Sequence, residues 1–183
     1  MGQRHLRIVF AALLVLAGAA CGGSPPSATA GPAVDSFDEY AVASCAAWDA
    51  LFRAVGNPDT GSGSELSRSL DQAVAAGDAA SAEPVAADIT RELQAGRALV
   101  AVAGGWQPRI QVMIQLDRVF AAYEAMIAAK VAVARREPNA VDPQAAFEGA
   151  GGVEAWFAMI DAMRAAGGGG ATEVQCPNGL VSP

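Results

Sequence analysis

Five carboxylates stand at spacings that could make a site. Asp88 and Glu92 are one helical turn apart. Asp117 and Glu124 are two turns apart and so share a helix face, and Asp161 falls in a further helical stretch. Carboxylates projected inward from several helices hold paired metal ions in some bundles, but that arrangement adds a Glu-x-x-His motif. The one histidine of this chain is His5. The sequence beyond it therefore has no Ser-His or Cys-His nucleophile pair, no histidine general base and no histidine-ligated metal. Arg91, Arg97 and Arg118 offer partners to Asp88, Glu92 and Asp117. The expectation is a solvated face of ion pairs, with no catalytic residue, metal or cofactor.

The glycine groups do not cradle phosphate either. Gly149–Gly152 lacks the Gly-x-Gly-x-x-Gly spacing and follows no strand, and the Gly167–Gly170 run has no Lys-Ser/Thr after it. Both read as hinges or helix stops. Three tryptophans carry more interest. Trp48 and Trp156 fall on apolar helical faces, where core packing is expected. Trp106 sits in a Gly-Gly-Trp-Gln-Pro turn, where it either plugs an end of the fold or lies exposed at a contact surface. Trp48, Trp106 and Trp156 are the candidate ligand or contact aromatics, and a Trp- and Met-lined cavity for an apolar ligand is the alternative to plain packing.

The elements that must position these groups are helices. The chain holds 43 alanines, the strongest helix former, and shows no alternating strand pattern of useful length and no internal repeat. A first helix starts at Ser36, which has capping-box spacing to Glu39. Its face runs through Phe37, Tyr40, Ala41, Trp48, Leu51, Phe52 and Val55 to a stop at Gly56, with Ser44 the one polar residue in the stripe and Cys45 at its edge. A weaker second helix spans 64–76 and closes at Gly77. A third starts near Pro84 and reaches Ala103, with Gly96 marking a close contact or a bend. The fourth runs from Pro108 to Arg136, 29 residues or about 43 Å. It is lined by Ile110, Met113, Ile114, Phe120, Tyr123, Ile127 and Val131, and Arg135 and Arg136 complement its dipole. Asp142-Pro143 starts a short turn through Glu148. A last helix covers 153–166, with Val153, Trp156, Phe157, Ile160 and Met163 apolar. The tail from Ala171 is irregular and carries an Asn178-Gly179 turn. The expected fold is all-α, a bundle of four to five main helices plus a short extra helical turn.

The first 35 residues have a different character. Arg4 and Arg7 precede a continuous apolar run from Ile8 to Leu16, and Ala17–Ala20 is small. That is the layout of a secretory signal. Ile8–Ala20 is shorter than the 17–25 or so residues that span a bilayer, and Gly22, Gly23, Pro25 and Pro26 block any helical extension. The run ends at Cys21 after Ala19 and Ala20, and this end resembles the lipobox of bacterial lipoproteins, although Gly18 stands where a large aliphatic is usual. The resemblance implies a diacylglyceryl group on the Cys21 thiol and cleavage before it. Ordinary secretion, with cleavage after Ala19 or Ala20, is the alternative. Residues 22–34, GGSPPSATAGPAV, have linker composition and as a coil would span about 20 Å.

Cysteine number bears on the same question. The chain has Cys21, Cys45 and Cys176, and an odd thiol in an oxidising compartment needs an explanation. With Cys21 lipidated, Cys45 and Cys176 are free to pair; without the lipid, one reactive thiol is left over. The expectation is a Cys45–Cys176 disulfide that ties the first helix to the tail, and the alternative is two buried free thiols. Loss of Arg4 and Arg7 with the signal takes the net charge from −7 to −9. The remaining chain has no basic run beyond Arg135-Arg136, which excludes nucleic acid as a partner. Its acidity also repels an anionic lipid surface, so attachment must come from acyl chains.

The resulting expectation is a cleaved signal (1–20), a membrane tether (21–35), one helical domain (36–176) and an irregular tail (177–183). The protein would be lipid-anchored on the outer face of a bacterial cytoplasmic membrane. It would be non-catalytic and bind a protein or other envelope component. A carrier of a small apolar molecule is the alternative, and an enzyme working with carboxylates alone stands third.

Overall fold

The computed structural model of the chain describes residues 36–57, 61–166, 174–176 and 181–182. The signal stretch, Cys21, the tether and the Asn178-Gly179 turn lie outside them. Helix α1 is Phe37–Val55. It begins where Ser36 Oγ accepts the Glu39 amide at 3.3 Å, which satisfies one of the donors a helix start leaves open. It ends at Gly56, whose φ of 97° leads the chain past the 62–64 backbone so closely that a Cβ would collide with it.

The short second helix does form, as α2, Glu65–Ala76. Ser64 Oγ accepts the Ser67 amide at 3.0 Å and donates to the Ala54 carbonyl at 2.9 Å, so the start of α2 is fastened to the end of α1. Left-handed Gly77 closes it.

Helix α3 is Ala79–Ala103 and starts five residues before Pro84, the expected first turn. Asp78 is the reason. Its carboxylate accepts the Ser81 amide at 3.1 Å and the Ser81 hydroxyl at 2.6 Å. Those bonds, the hydroxyl's first, hold its carboxyl below the usual carboxylate range. Pro84 therefore sits inside α3 and removes one amide donor near its start.

Helix α4, Ile110–Ala134, is by contrast shorter than expected: 25 residues, or about 37 Å. Pro108 lies in a 3-10 turn, Gln107–Arg109, instead of the helix proper. At the other end Arg136 has a φ of 57°, a left-handed stop usually left to glycine. Its guanidinium lies against Gly77, so the ends of α2 and α4 meet there. Helix α5, Pro143–Gly149, is capped by Asp142, and α6 is Gly152–Ala166.

Among the described residues the result is an all-α bundle of five main helices plus short α5. Helices α1 and α3 run antiparallel: Trp106, just after α3, reaches Phe37 at the start of α1, whereas Arg53 near the end of α1 pairs with Glu92. Helix α4 packs back along α3, α6 along α4, α2 against α3 and α4, and α5 against α4 and α6. Leu51, Ile89, Leu93, Leu116, Phe120 and Met159 are fully buried at the centre. Gly96 marks a close contact: a Cβ there would penetrate the Phe120 ring and press on Ala50. Phe157 is a correction to the expected apolar face, because 62% of it is exposed. Helix α6 buries only Gly152, Ala155 and Met159, so part of its apolar circumference faces outward.

The tail also departs from expectation. Val174–Gln175 (β1) pairs antiparallel with Val181–Ser182 (β2), in the register Val174 to Ser182 and Gln175 to Val181. The strands bracket the Asn178-Gly179 pair. A Cys45–Cys176 disulfide, with Cα atoms 5.4 Å apart, ties the residue after β1 to α1.

Candidate functional site

The three tryptophans do not converge on one pocket; they belong to two ring clusters spaced along α1. Trp106 is half-buried, with its ring 4.8 Å from Tyr40 and 5.4 Å, edge-on, from Phe37. It plugs the end of the bundle where α1 begins. Its position follows from the Gly104-Gly105 break, which ends α3, and Pro108, which opens the next turn. Further along α1, Trp48 meets the edge of Trp156 at 6.0 Å and lies 5.6 Å from Phe52. Trp48 is 7% exposed, and its Nε1 has no hydrogen-bond partner among the described residues. The disulfide at Cys45 stands between the two clusters, one turn before Trp48.

A polar group underlies the Trp106 cluster. Tyr40 and Ser44 are fully buried, and Arg109 is 5% exposed. Burial pushes the Tyr40 hydroxyl above its ordinary pKa, while a hydrogen bond with Ser44 and the positive charge of Arg109 pull the other way. Sequence reasoning marked Ser44 as the odd residue in the α1 stripe but did not find Arg109. The available signal was its spacing, three residues beyond Trp106 and directly after Pro108.

The candidate acids are dispersed. Asp88 pairs with Arg91 at 2.8 Å, Glu92 with Arg53 at 3.0 Å, and Asp161 with Arg164 at 3.1 Å. Asp117 and Glu124 do share a partner, Arg97, which reaches the first at 2.8 Å and the second at 3.2 Å. That bridge clamps α3 to α4, and the hydrogen bond to Asp117 leads in raising the guanidinium's pKa further. Glu124 Oε1 is buried without a hydrogen-bond partner among the described residues. Arg118 bonds Gln115 and not Asp117. Among the described residues no group of three or more His, Cys, Asp or Glu could hold a metal.

Among the described residues, three open grooves flank the first half of α4. One of about 470 Å³ lies between Pro108–Gln115 and Ala158–Ala166, and Arg109 and Asp161 are its charged lining residues. A second of about 390 Å³ continues it toward Gly151. The third, about 430 Å³, lies between α3 and α4 beside Ile114, which is 39% exposed. None is lined by the candidate tryptophans. Among the described residues no helix is long and apolar enough to cross a membrane. Comparison with family models, curated proteins and solved structures found no match to this chain.

Proposed function

We propose that the protein is an exported, lipid-anchored helical module that acts by binding a component of the cell envelope. The observation that carries this reading is the cysteine pairing. Cys45 and Cys176 are joined, so Cys21, at the end of the apolar run Ile8–Ala20, is the one cysteine left for another fate. A disulfide also suits an oxidising compartment. The signal-like order of charge, apolar run and small residues supplies the route, and the lipobox resemblance supplies the fate: a thioether to diacylglyceryl.

Binding, as opposed to carboxylate catalysis, is supported by the ion pairing of Asp88, Glu92, Asp117 and Asp161. Binding at the surface, as opposed to carriage inside, is supported by the tight Gly96–Phe120 contact and by the openness of the grooves beside α4. The test is expression of the full chain and of Cys21→Ser, followed by fractionation and detergent partitioning. The wild type should enter the detergent phase and the variant should not. Equal membrane association of the two would defeat the reading.

A further inference from the structure

We infer that one particular end of the bundle, the one closed by Phe37 and Trp106, rests at the headgroup level of the bilayer that holds the anchor. The inference rests on the lipid attachment of Cys21 and adds an orientation and a contact surface to it.

The first support is where the tether joins. Fourteen residues, 22–35, separate Cys21 from Ser36, the cap of α1. A coil of that length spans about 20 Å. Helix α4, by comparison, is 25 residues or about 37 Å long. The mean span of such a coil is thus about half the length of the bundle, which favours the end carrying Ser36 as the one nearest the membrane.

The second support is what that end presents. Phe37 and Trp106 are half-buried there, Pro108 is exposed, and the groove of about 470 Å³ begins at Pro108 and Ala166. Tryptophan is favoured at a membrane interface because its ring is apolar and its N–H is polar. The opposite end offers Glu83, Arg135, Arg136 and Glu137, which prefer water. Asp38 and Glu39 are exposed beside the rings, so contact should be closer on zwitterionic lipid than on anionic lipid.

The test uses the full lipid-bearing protein, reconstituted in phosphatidylcholine vesicles and compared by amide hydrogen exchange with Cys21→Ser free in solution. Segments 36–41 and 104–110 should exchange at least about threefold more slowly on vesicles, and 77–83 and 135–140 should be unchanged. Equal rates at both ends, or protection at the far end or along the Phe157 side of α6, would overturn the inference. A second measurement is quenching of tryptophan fluorescence by brominated lipid. It should be lost in Trp106→Phe, and its persistence there counts against Trp106 as the contact. The mass of the Cys21 peptide reports separately on the anchor. If no lipid is found, the tether reading fails, and coupling a maleimide phospholipid to Cys21 of chain 21–183 still tests the orientation on its own.

Discussion

The two ends of this bundle are closed by different physics. At the end where α1 begins, Trp106 covers Phe37 and Tyr40, and Tyr40 joins Ser44 and Arg109 in a buried polar group. At the other end Arg135 pairs with Glu83 and Glu137, Lys130 with Asp71, and Arg136 lies on Gly77. Ring packing removes apolar area from water, and salt does not weaken it. Exposed ion pairs gain little, because water and salt screen them and two long side chains must be ordered. An alanine-rich core buries little area per helix, so the stability of this fold should be concentrated toward the aromatic end and the disulfide near it.

The largest expected effect comes from cutting that disulfide. Cys45→Ser with Cys176→Ser opens a loop of 131 positions, for which chain entropy gives up to about 5 kcal/mol. Urea denaturation should show the loss, and an unchanged midpoint would mean that the tail contributes nothing to the fold. Trp106→Ala should come next, at about 2–3 kcal/mol, below the full cost of a buried tryptophan because the ring is half-exposed. That loss should be the same in 50 mM and 500 mM salt, although the Debye length changes roughly threefold between them, because apolar burial is not a screened interaction.

Gly77→Ala tests whether the far end is uniformly cheap to perturb. Its φ is 65°, and a Cβ would sit 2.8 Å from the Arg136 guanidinium, so about 1–2 kcal/mol should be lost in a thermal melt. Backbone geometry would then cost more at that end than any of its charges. Alkaline pH probes both tyrosines of the chain, Tyr40 and Tyr123, whose hydroxyls burial raises above their ordinary pKa. Folded-state values above the unfolded ones mean that stability is complete below about pH 10 and falls as pH rises through that window. Tyrosinate absorbance should therefore appear together with unfolding; ionisation while the fold persists would show the rings to be accessible. Arg135→Ala should be smallest, a shift in the thermal midpoint that vanishes at high salt. A larger, salt-independent loss would remove the contrast between the ends.

Much of this architecture was legible because it depends on local signals. Ser36, Gly56, Gly77 and Asp142 each sit at a helix boundary of the kind their side chains or conformations favour. The boundaries missed were those where two local signals competed. Pro84 is a common first-turn residue, but Asp78 with Ser81 made a better cap five residues earlier. Nothing local marked Arg136 as a left-handed stop, since that conformation is usually left to glycine, and its guanidinium lies against Gly77 of another helix end. Phe157 was misplaced for a similar reason: periodicity finds an apolar face, but only packing says how much of it a neighbour covers. At the candidate site, spacing put Trp48 and Trp156 on apolar faces; the structure buries Trp48 and leaves Trp156 half-buried against its face. The choice between plug and exposed ring for Trp106 did not follow from spacing.

By itself, then, the sequence determined the helical class, the caps and the absence of histidine chemistry beyond His5, since each follows from residue type and short-range spacing. It also limited the cysteines to one pairing once Cys21 was set aside. Only the tertiary structure decided that Cys176 returns to Cys45, that Trp106 packs on the start of α1, that the charge of Arg109 acts on buried Tyr40, and that Arg97 ties Asp117 and Glu124 into one bridge. Those are contacts between residues 20 to 131 positions apart. Their formation depends on how whole helices pack, which no local pattern records.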